Sequence, residues 1–403
     1  MNGASGSSGA DVIIVGAGAA GLSLAHHLAA AGGPAGTTPT MVLVEAPDGP
    51  LRPPERTWCF WEEGDGAYEE AVVASWSRLR VRAADGRTTE GEPGPLRYKM
   101  IRSGGFEQLI GERLAACPGV RRVRATVDVV RDVATGAEVL CTTAGGKRLT
   151  LRGRWVFDSR PLRRLPPARS TLVQHFRGWF VRTERPEFTP GIADLMDFRT
   201  AQPDHGLSFG YVLPLGPQDA LVEYTEFSAA PLTGPRYEQA LRHYTRDVLG
   251  LGALRIVSTE QGAIPMTDAV FPRRVGASVF RIGTAGGATR PATGYTFAAV
   301  QRQSRAIAAA HRRGRVPVPP PAHPARARAM DAVMLRALDT GRVNGADFFA
   351  GLFGRTSMER MLRFLDGRSR VWEDIAIGLR TPVGPMLRTV AELPLLPRRE
   401  RRP

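Results

Sequence analysis

Lysine is almost missing from this chain of 403 residues: Lys99 and Lys147 stand alone among 54 basic residues, yet the net charge is +15. An arginine excess of this kind, beside 45 glycines and 32 prolines, is what a GC-rich genome writes, so much of the charge says nothing about a partner. The pairs Arg121-Arg122, Arg163-Arg164 and Arg273-Arg274 are scattered and have no interleaved aromatics on which bases would stack, which argues against nucleic acid. The remaining charge suits an anionic lipid surface, where each basic group contributes on the order of 1 kcal/mol. Cysteine is scarce too. Cys59, Cys117 and Cys141 lack C-x-x-C spacing, which excludes a disulfide framework, gives no metal site, and points to a reducing cytoplasm. No apolar run reaches 18 residues, so no helix is expected to span a membrane. The opening MNGASGSSGA has neither the charged nor the apolar region of a signal peptide and is expected to be a tail.

What is present begins at Asp11. DVIIVGAGAAG is a short β-branched run that drops into Gly16-Ala17-Gly18-Ala19-Ala20-Gly21 and continues as an Ala- and Leu-rich helix to about Ala31. A second apolar run, Met41 to Val44, ends in Glu45, where a dinucleotide-binding βαβ unit places the carboxylate that holds a ribose hydroxyl. Gly16 serves the tight turn, Gly18 the approach of a pyrophosphate, and Gly21 the close packing of helix on strand. The helix N-terminus at Ala19 and Ala20 offers free N–H groups and a positive dipole end. Strand, turn, helix, second strand and acid all at their expected offsets make a far more specific signal than glycines alone. The position near the start of the chain is usual for FAD-binding proteins.

Further along, LRPPERTWCFWE reads as an extended loop that carries Arg56, a candidate cofactor contact, and Trp58, Phe60 and Trp61, either a hydrophobic plug or an aromatic wall beside a flavin or apolar substrate. A helix is expected after Arg102-Ser103, and strands near Thr126–Val130, Glu138–Thr142 and Arg154–Phe157. The last of these ends in Asp158, where a strand returns the chain to the cofactor in FAD proteins or simply turns. From Thr171, TLVQHFRGWFVRT, ADLMDFRT, GLSFGYVLPL and ALVEYTEFS alternate with period two and read as an antiparallel sheet.

In the fourth of these strands alternation puts Leu221, Glu223, Thr225 and Phe227 on one face, and Val222, Tyr224 and Glu226 on the other. A carboxyl among apolar side chains is desolvated and keeps its proton near neutral pH, as a general acid must; the bland alternative is an edge-strand glutamate facing water. A helix is expected over Tyr237–Leu249, then strand and turn over Arg255–Met266. A second glycine loop, GTAGGATRPATGYTF, feeds a helix from about Tyr295, and makes Gly283, Gly287, Thr293, Gly294 and Tyr295 candidates for the flavin side of the cofactor. After the prolines of 317–324 the chain is helical and rich in Phe, Leu and Met.

The expected fold is therefore α/β: a discontinuous Rossmann-like FAD-binding domain over 10–170 and 255–315, an inserted antiparallel sheet for substrate over 171–254, and a C-terminal helical, membrane-facing region over 325–400.

In sequence order, GAGAAG, RTWCFW, FDSRP, QHFRGWFV, GYVLPL, LVEYTEFS, GAIPM, GTAGGATRPATGYTF and FFAGLFGR resemble the flavin-dependent lycopene cyclases of bacteria and plants over nearly the whole chain. The resemblance implies a cytoplasmic, peripherally membrane-associated enzyme that closes the ψ-ends of lycopene into β-rings without net oxidation, an intramolecular lyase reaction, using FAD reduced by NAD(P)H. It implies that Glu223 is the essential acid, from the family's L-x-E-[ED]-T, which here reads Leu221-Val222-Glu223-Tyr224-Thr225. Tyr224 departs from the second acid of that pattern. Phe209 and Tyr211 join Trp58, Phe60 and Trp61 as candidate walls around a carbocation. Two other classes stay open: a flavin monooxygenase or halogenase, which would consume NAD(P)H and oxygen stoichiometrically, and a prenyl-chain escort of the same fold, which would bind no FAD.

Overall fold

The computed structural model describes residues 9–400 except 34, 35 and 38. Ala10–Val15 and Met41–Glu45 pair in parallel, with Val12 opposite Met41 and Val15 opposite Val44. Arg148–Asp158 lies parallel on the other side of Ala10–Val15, and Val120–Arg124 parallel beyond Met41–Glu45. Gly136–Thr142 and Thr126–Val133 extend this sheet antiparallel, and the short Val279–Arg281 pairs in parallel with Arg148–Asp158. Val12 to Val15 are buried because elements cover both faces, which is why the run is apolar without alternation. Helices Ala19–Ala31 and Phe297–Arg312 share the core on one of those faces.

A second sheet runs in the order Leu254–Thr267, Thr171–Thr183, Asp219–Ser228, Leu207–Pro214, Ile192–Asp197, Arg78–Arg82, Thr88–Gly91. The four strands expected between 171 and 228 are all there. Three features differ from expectation. Leu254–Thr267 pairs along the whole of Thr171–Thr183, so the sheet continues past the boundary drawn at residue 254. Arg78–Arg82 joins Ile192–Asp197 in parallel, so the sheet is not wholly antiparallel; its charged residues hide the strand in the sequence, and Arg80 Nη2 donates to Asp194 Oδ2 at 2.8 Å. Finally, Thr57–Glu63 is not a loop but a strand, paired with Leu96–Arg102 in a third, three-stranded sheet completed by Val72–Trp76.

The expected helix over Tyr237–Leu249 is Gly234–His243 followed by a wider helical turn, Tyr244–Val248. Downstream, helices Ala325–Asp339, Gly345–Arg355 and Met358–Leu365 bury Leu335, Leu338, Phe349, Leu352, Phe353, Met361 and Leu362 in the same core as the second sheet's Leu207, Phe209, Leu221 and Phe227. Arg290, at 1% exposure, pairs with Asp331 at 3.0 Å and ties the second glycine loop to the first of these helices. Such a pair is costly to break from one side, since the survivor is left charged and buried.

Candidate active site and cofactor loops

The two glycine loops meet. Gly16 sits at φ +98°, a conformation that favours glycine, and its N–H donates to Val44 O at 2.8 Å across the two parallel strands. A Cβ on Gly21 would lie 1.8 Å from Gly16 O, so helix Ala19–Ala31 can enter this close to the strand only without one. A Cβ on Gly18 would meet nothing within 4 Å: the space before the helix N-terminus is open, and Gly18 brings no side chain to cap the N–H groups of the first turn, at Ala19 and Ala20. From the other side, a Cβ on Gly283 would fall 2.9 Å from the Ala20 side chain. Asp158 ends its strand beside the same turns, accepting from Arg160 Nη2 at 2.8 Å, while its carbonyl accepts from Ile282 N at 3.1 Å.

Glu45 lies at the end of Met41–Glu45, buried, and accepts from Arg122 Nη2 at 2.9 Å and Arg124 Nε at 3.4 Å. A carboxylate has room for a further donor such as a ribose hydroxyl. Gly287, Thr293 and Gly294 follow in the second loop, with Gly294 N donating to Arg290 O at 3.0 Å and Thr293 Oγ1 to Leu365 O at 3.4 Å. Arg56 is exposed, and its charge acts on Glu260.

Glu223 occupies the interior strand Asp219–Ser228 and is buried, which excludes the solvent-facing edge position. Its face is the expected one: Leu221 and Phe227 join the core beneath the C-terminal helices, whereas Val222 and Tyr224 pack with Tyr237 and Leu241 on the other side. Tyr211 is directly opposite Glu223 on one flank and Gly178 on the other, and Gly178 is in turn opposite Glu260. Directly paired residues share a face, so Tyr211, Glu223, Gly178 and Glu260 form one row across four strands. Burial pushes the Glu223 carboxyl up to about 8, the charge of Glu260 pushes it the same way, and the 2.6 Å hydrogen bond from Thr225 Oγ1 opposes both.

The strand Thr57–Glu63 crosses above this row, and its alternation divides the aromatic trio. Thr57 Oγ1 donates to Glu260 Oε2 at 2.6 Å. Burial raises the Cys59 thiol, and both Glu223 and Glu260 raise it further. Trp61 meets the Tyr295 ring at 4.6 Å and Tyr98 at 6.2 Å. Trp58 and Phe60 point the other way, into the nucleotide-side core, where both rings meet Phe297, at 5.8 and 4.7 Å. Phe209 lies on the Glu223 face, 5.1 Å from the Tyr211 ring. A narrow crevice of about 10 Å³, room for about one water, opens between the two sets, lined by Cys59, Phe60, Trp61, Tyr295, Phe297, Ala298 and Asp366. The Tyr295 hydroxyl is buried there with no hydrogen bond of good geometry, although Tyr98 and Tyr211 are close enough to act on it. Burial holds all three phenols neutral by raising them above their ordinary range.

The family model described as "Lycopene cyclase protein" matches residues 11–391. The chain belongs to the lycopene cyclase family. No curated protein matches it. Solved structures share the fold of this lycopene cyclase family member at low identity: a flavoprotein/dehydrogenase from Cytophaga hutchinsonii (TM-score 0.62, 11% identity, 96% of this chain and 99% of that one), a geranylgeranyl bacteriochlorophyll reductase-like protein from Thermoplasma acidophilum (0.61, 11%, 95% and 99%), and p-nitrophenol 4-monooxygenase from Pseudomonas putida (0.56, 14%, 95% and 97%). The likeness establishes a flavoprotein monooxygenase/reductase-like α/β fold with a separate second sheet and a helical C-terminal region.

Sequence reasoning missed Thr57, Cys59, Tyr98, Gly178 and Glu260. Glu260 was visible only as part of an alternating segment, and which residue faces Glu223 across a glycine is a matter of register, which no single strand reveals.

Proposed function

We propose that this family member cyclises the ψ-ends of lycopene, or of another carotenoid with such ends, into β-rings by acid-initiated, redox-neutral chemistry, with Glu223 as the acid. The observation that carries this is the position of Glu223: a buried carboxyl that keeps its proton near neutral pH, on a face of apolar and aromatic side chains. Glu223 delivers a proton to the terminal double bond. The cation that results is held in a dry site by the faces of Tyr211, Trp61 and Phe209, each worth on the order of 0.5–2 kcal/mol. As the ring double bond forms, the Glu223 carboxylate takes a proton back, so none is consumed.

The two loops suit FAD: Gly18 leaves open space where a pyrophosphate would approach uncapped N–H groups, and Glu45, at the end of the second strand, would hold the ribose. Gly16, Gly21, Asp158, Gly283, Gly287, Thr293 and Gly294 shape its cradle. When bound and reduced by NAD(P)H, FAD supplies negative charge near the developing cation. Pigment extracted from lycopene-producing cells that express the chain tests the proposal: cyclic carotenoid supports it, and unchanged lycopene beside folded, flavin-loaded protein counts against it.

The protonation state fixes a pH dependence. Glu223 is protonated below about 8 and loses its proton above, so the reduced enzyme is expected to hold its rate through neutral pH and lose it about tenfold per unit above about 8. A rate that climbs through pH 8 would mean that the ionised form is the active one.

We also place the enzyme on an anionic membrane surface. Among the described residues no helix is long and apolar enough to cross a membrane. Val371, Ile375 and Leu379 form a stripe at the helix Val371–Gly378, and Val383, Leu387 and Val390 a second along Val383–Glu392; all are exposed, Leu379 at 72% and Leu387 at 62%. Exposed Arg368, Arg370 and Arg388 border them. Apolar stripes flanked by arginine suit the head-group boundary of a leaflet. The double variant Ile375→Glu, Leu387→Glu is expected to lower binding to anionic vesicles at least ~10-fold, since each lost apolar contact removes on the order of 1.5 kcal/mol or more. High salt should release part of the wild type. Sedimentation with vesicles measures both, and equal binding by variant and wild type would place the contact elsewhere.

A further inference from the structure

Glu260 has no part in the proton donation just described, yet it faces the acid. Gly178 lies between the two, opposite both. A Cβ on Gly178 would come 2.8 Å from Leu221 Cδ1, 3.3 Å from Glu260 Cγ and 3.6 Å from Glu223 Cβ, so the two glutamates and Leu221 border the space that the glycine leaves. Any larger residue on that strand would fill this space and separate the carboxyls. Burial raises the Glu260 carboxyl as well, but of the two it is the one with groups that favour the ionised form: Thr57 donates to it, and the guanidinium groups of Arg102 and Arg56 oppose burial and the charge of Glu55. Among the described residues Thr225 is the one hydrogen-bond donor to Glu223. The other titratable groups on Glu223 are the Cys59 thiol and the phenols of Tyr211, Tyr295 and Tyr237, all raised and neutral. Arg177, next to Gly178, is paired with Glu238 at 2.7 Å. Glu260 is thus the carboxyl that faces the acid and has cationic neighbours.

We propose that Glu260 is a positioning residue for the catalytic proton: its ionised carboxylate, held across the gap at Gly178 by Thr57 and the neighbouring arginines, keeps the proton on Glu223 until substrate arrives. The two carboxyls act as an unequal pair, one charged and partly in contact with water, the other neutral and buried. Like charge across a single intervening strand opposes the ionisation of a carboxyl, and with glycine at position 178 that repulsion acts through the dry interior of the sheet. The inference deepens the assignment of Glu223 as the acid and rests on it.

The test is infrared titration of the protonated-carboxyl stretch in the purified full-length protein, without lycopene. The Glu223 band is the one missing from Glu223→Gln. In Glu260→Gln its midpoint is expected to fall by about one to two pH units, and Glu260→Asp, which keeps the charge, should restore most of the shift. Wild type alone gives a second check should Glu260→Gln fail to fold: two carboxyl bands must disappear in separate steps, that of Glu260 at the lower pH. An unmoved midpoint in folded Glu260→Gln, or a Glu223 step at or below that of Glu260, overturns the proposal. Because the readout uses no substrate, a protein that shows the shift yet leaves lycopene unchanged loses the cyclase assignment and keeps the pair; one that cyclises lycopene with an unmoved midpoint does the reverse.

Discussion

Glu223→Gln is expected to lower the rate of lycopene cyclisation by ~10³-fold, at normal flavin content, because a positioned general acid contributes roughly 10²–10⁴-fold. Glutamine keeps the volume and still accepts from Thr225, whose hydroxyl donates to the carboxyl at 2.6 Å, so the sheet should be undisturbed. Aspartate keeps the proton but withdraws it by one methylene, and a trace of activity is the most it should retain. Glu226→Gln is the control. Its side chain lies on the opposite face, accepting from Tyr224 at 3.0 Å and 3.7 Å from His175, so its effect should fall on stability and not on the rate per folded molecule. Product formation from lycopene by reduced enzyme measures all three. A dead Glu226 variant beside an active Glu223 variant would put the acid on the wrong face.

Gly18→Val is expected to weaken FAD binding at least ~100-fold while the protein still folds. The expectation rests on a contrast within one turn. Open space surrounds the Gly18 position, so a side chain there meets no part of the protein and intrudes only on the ligand; at Gly21 even one methyl would collide with Gly16 O at 1.8 Å. Gly21→Ala should therefore lower thermal stability as well as flavin content. Flavin absorbance per chain and a melting curve separate the two effects. A fully yellow Gly18→Val protein would place the pyrophosphate elsewhere.

Much of this was legible in the sequence because it is local. The run Val12 to Val15, the glycine turn and Glu45 lie within one βαβ unit, and the face of Glu223 follows from alternation within one strand. What was not legible depends on pairing between distant segments. Arg78–Arg82 looks like a charged surface stretch until Asp194 is placed beside it. The prolines just before the aromatic segment suggest a loop, and only as a strand does its alternation send Trp61 toward Tyr295 and Trp58 and Phe60 toward Phe297. Leu254–Thr267 is exposed over much of its length, and an exposed edge strand leaves a weak hydrophobic signal, so Glu260 stayed hidden in it.

Whether the proposed cyclase runs a proton reaction on its flavin fold, and not an oxidation, is decided by the ratio of product to reductant. Purified, FAD-loaded protein is given lycopene without oxygen and with much less NAD(P)H than substrate, and the carotenoid is analysed by mass and retention. Many molecules of cyclic product, unchanged in mass, are expected for each molecule of reductant consumed. One reductant spent per product, or a product that forms only with oxygen and gains its mass, would contradict it.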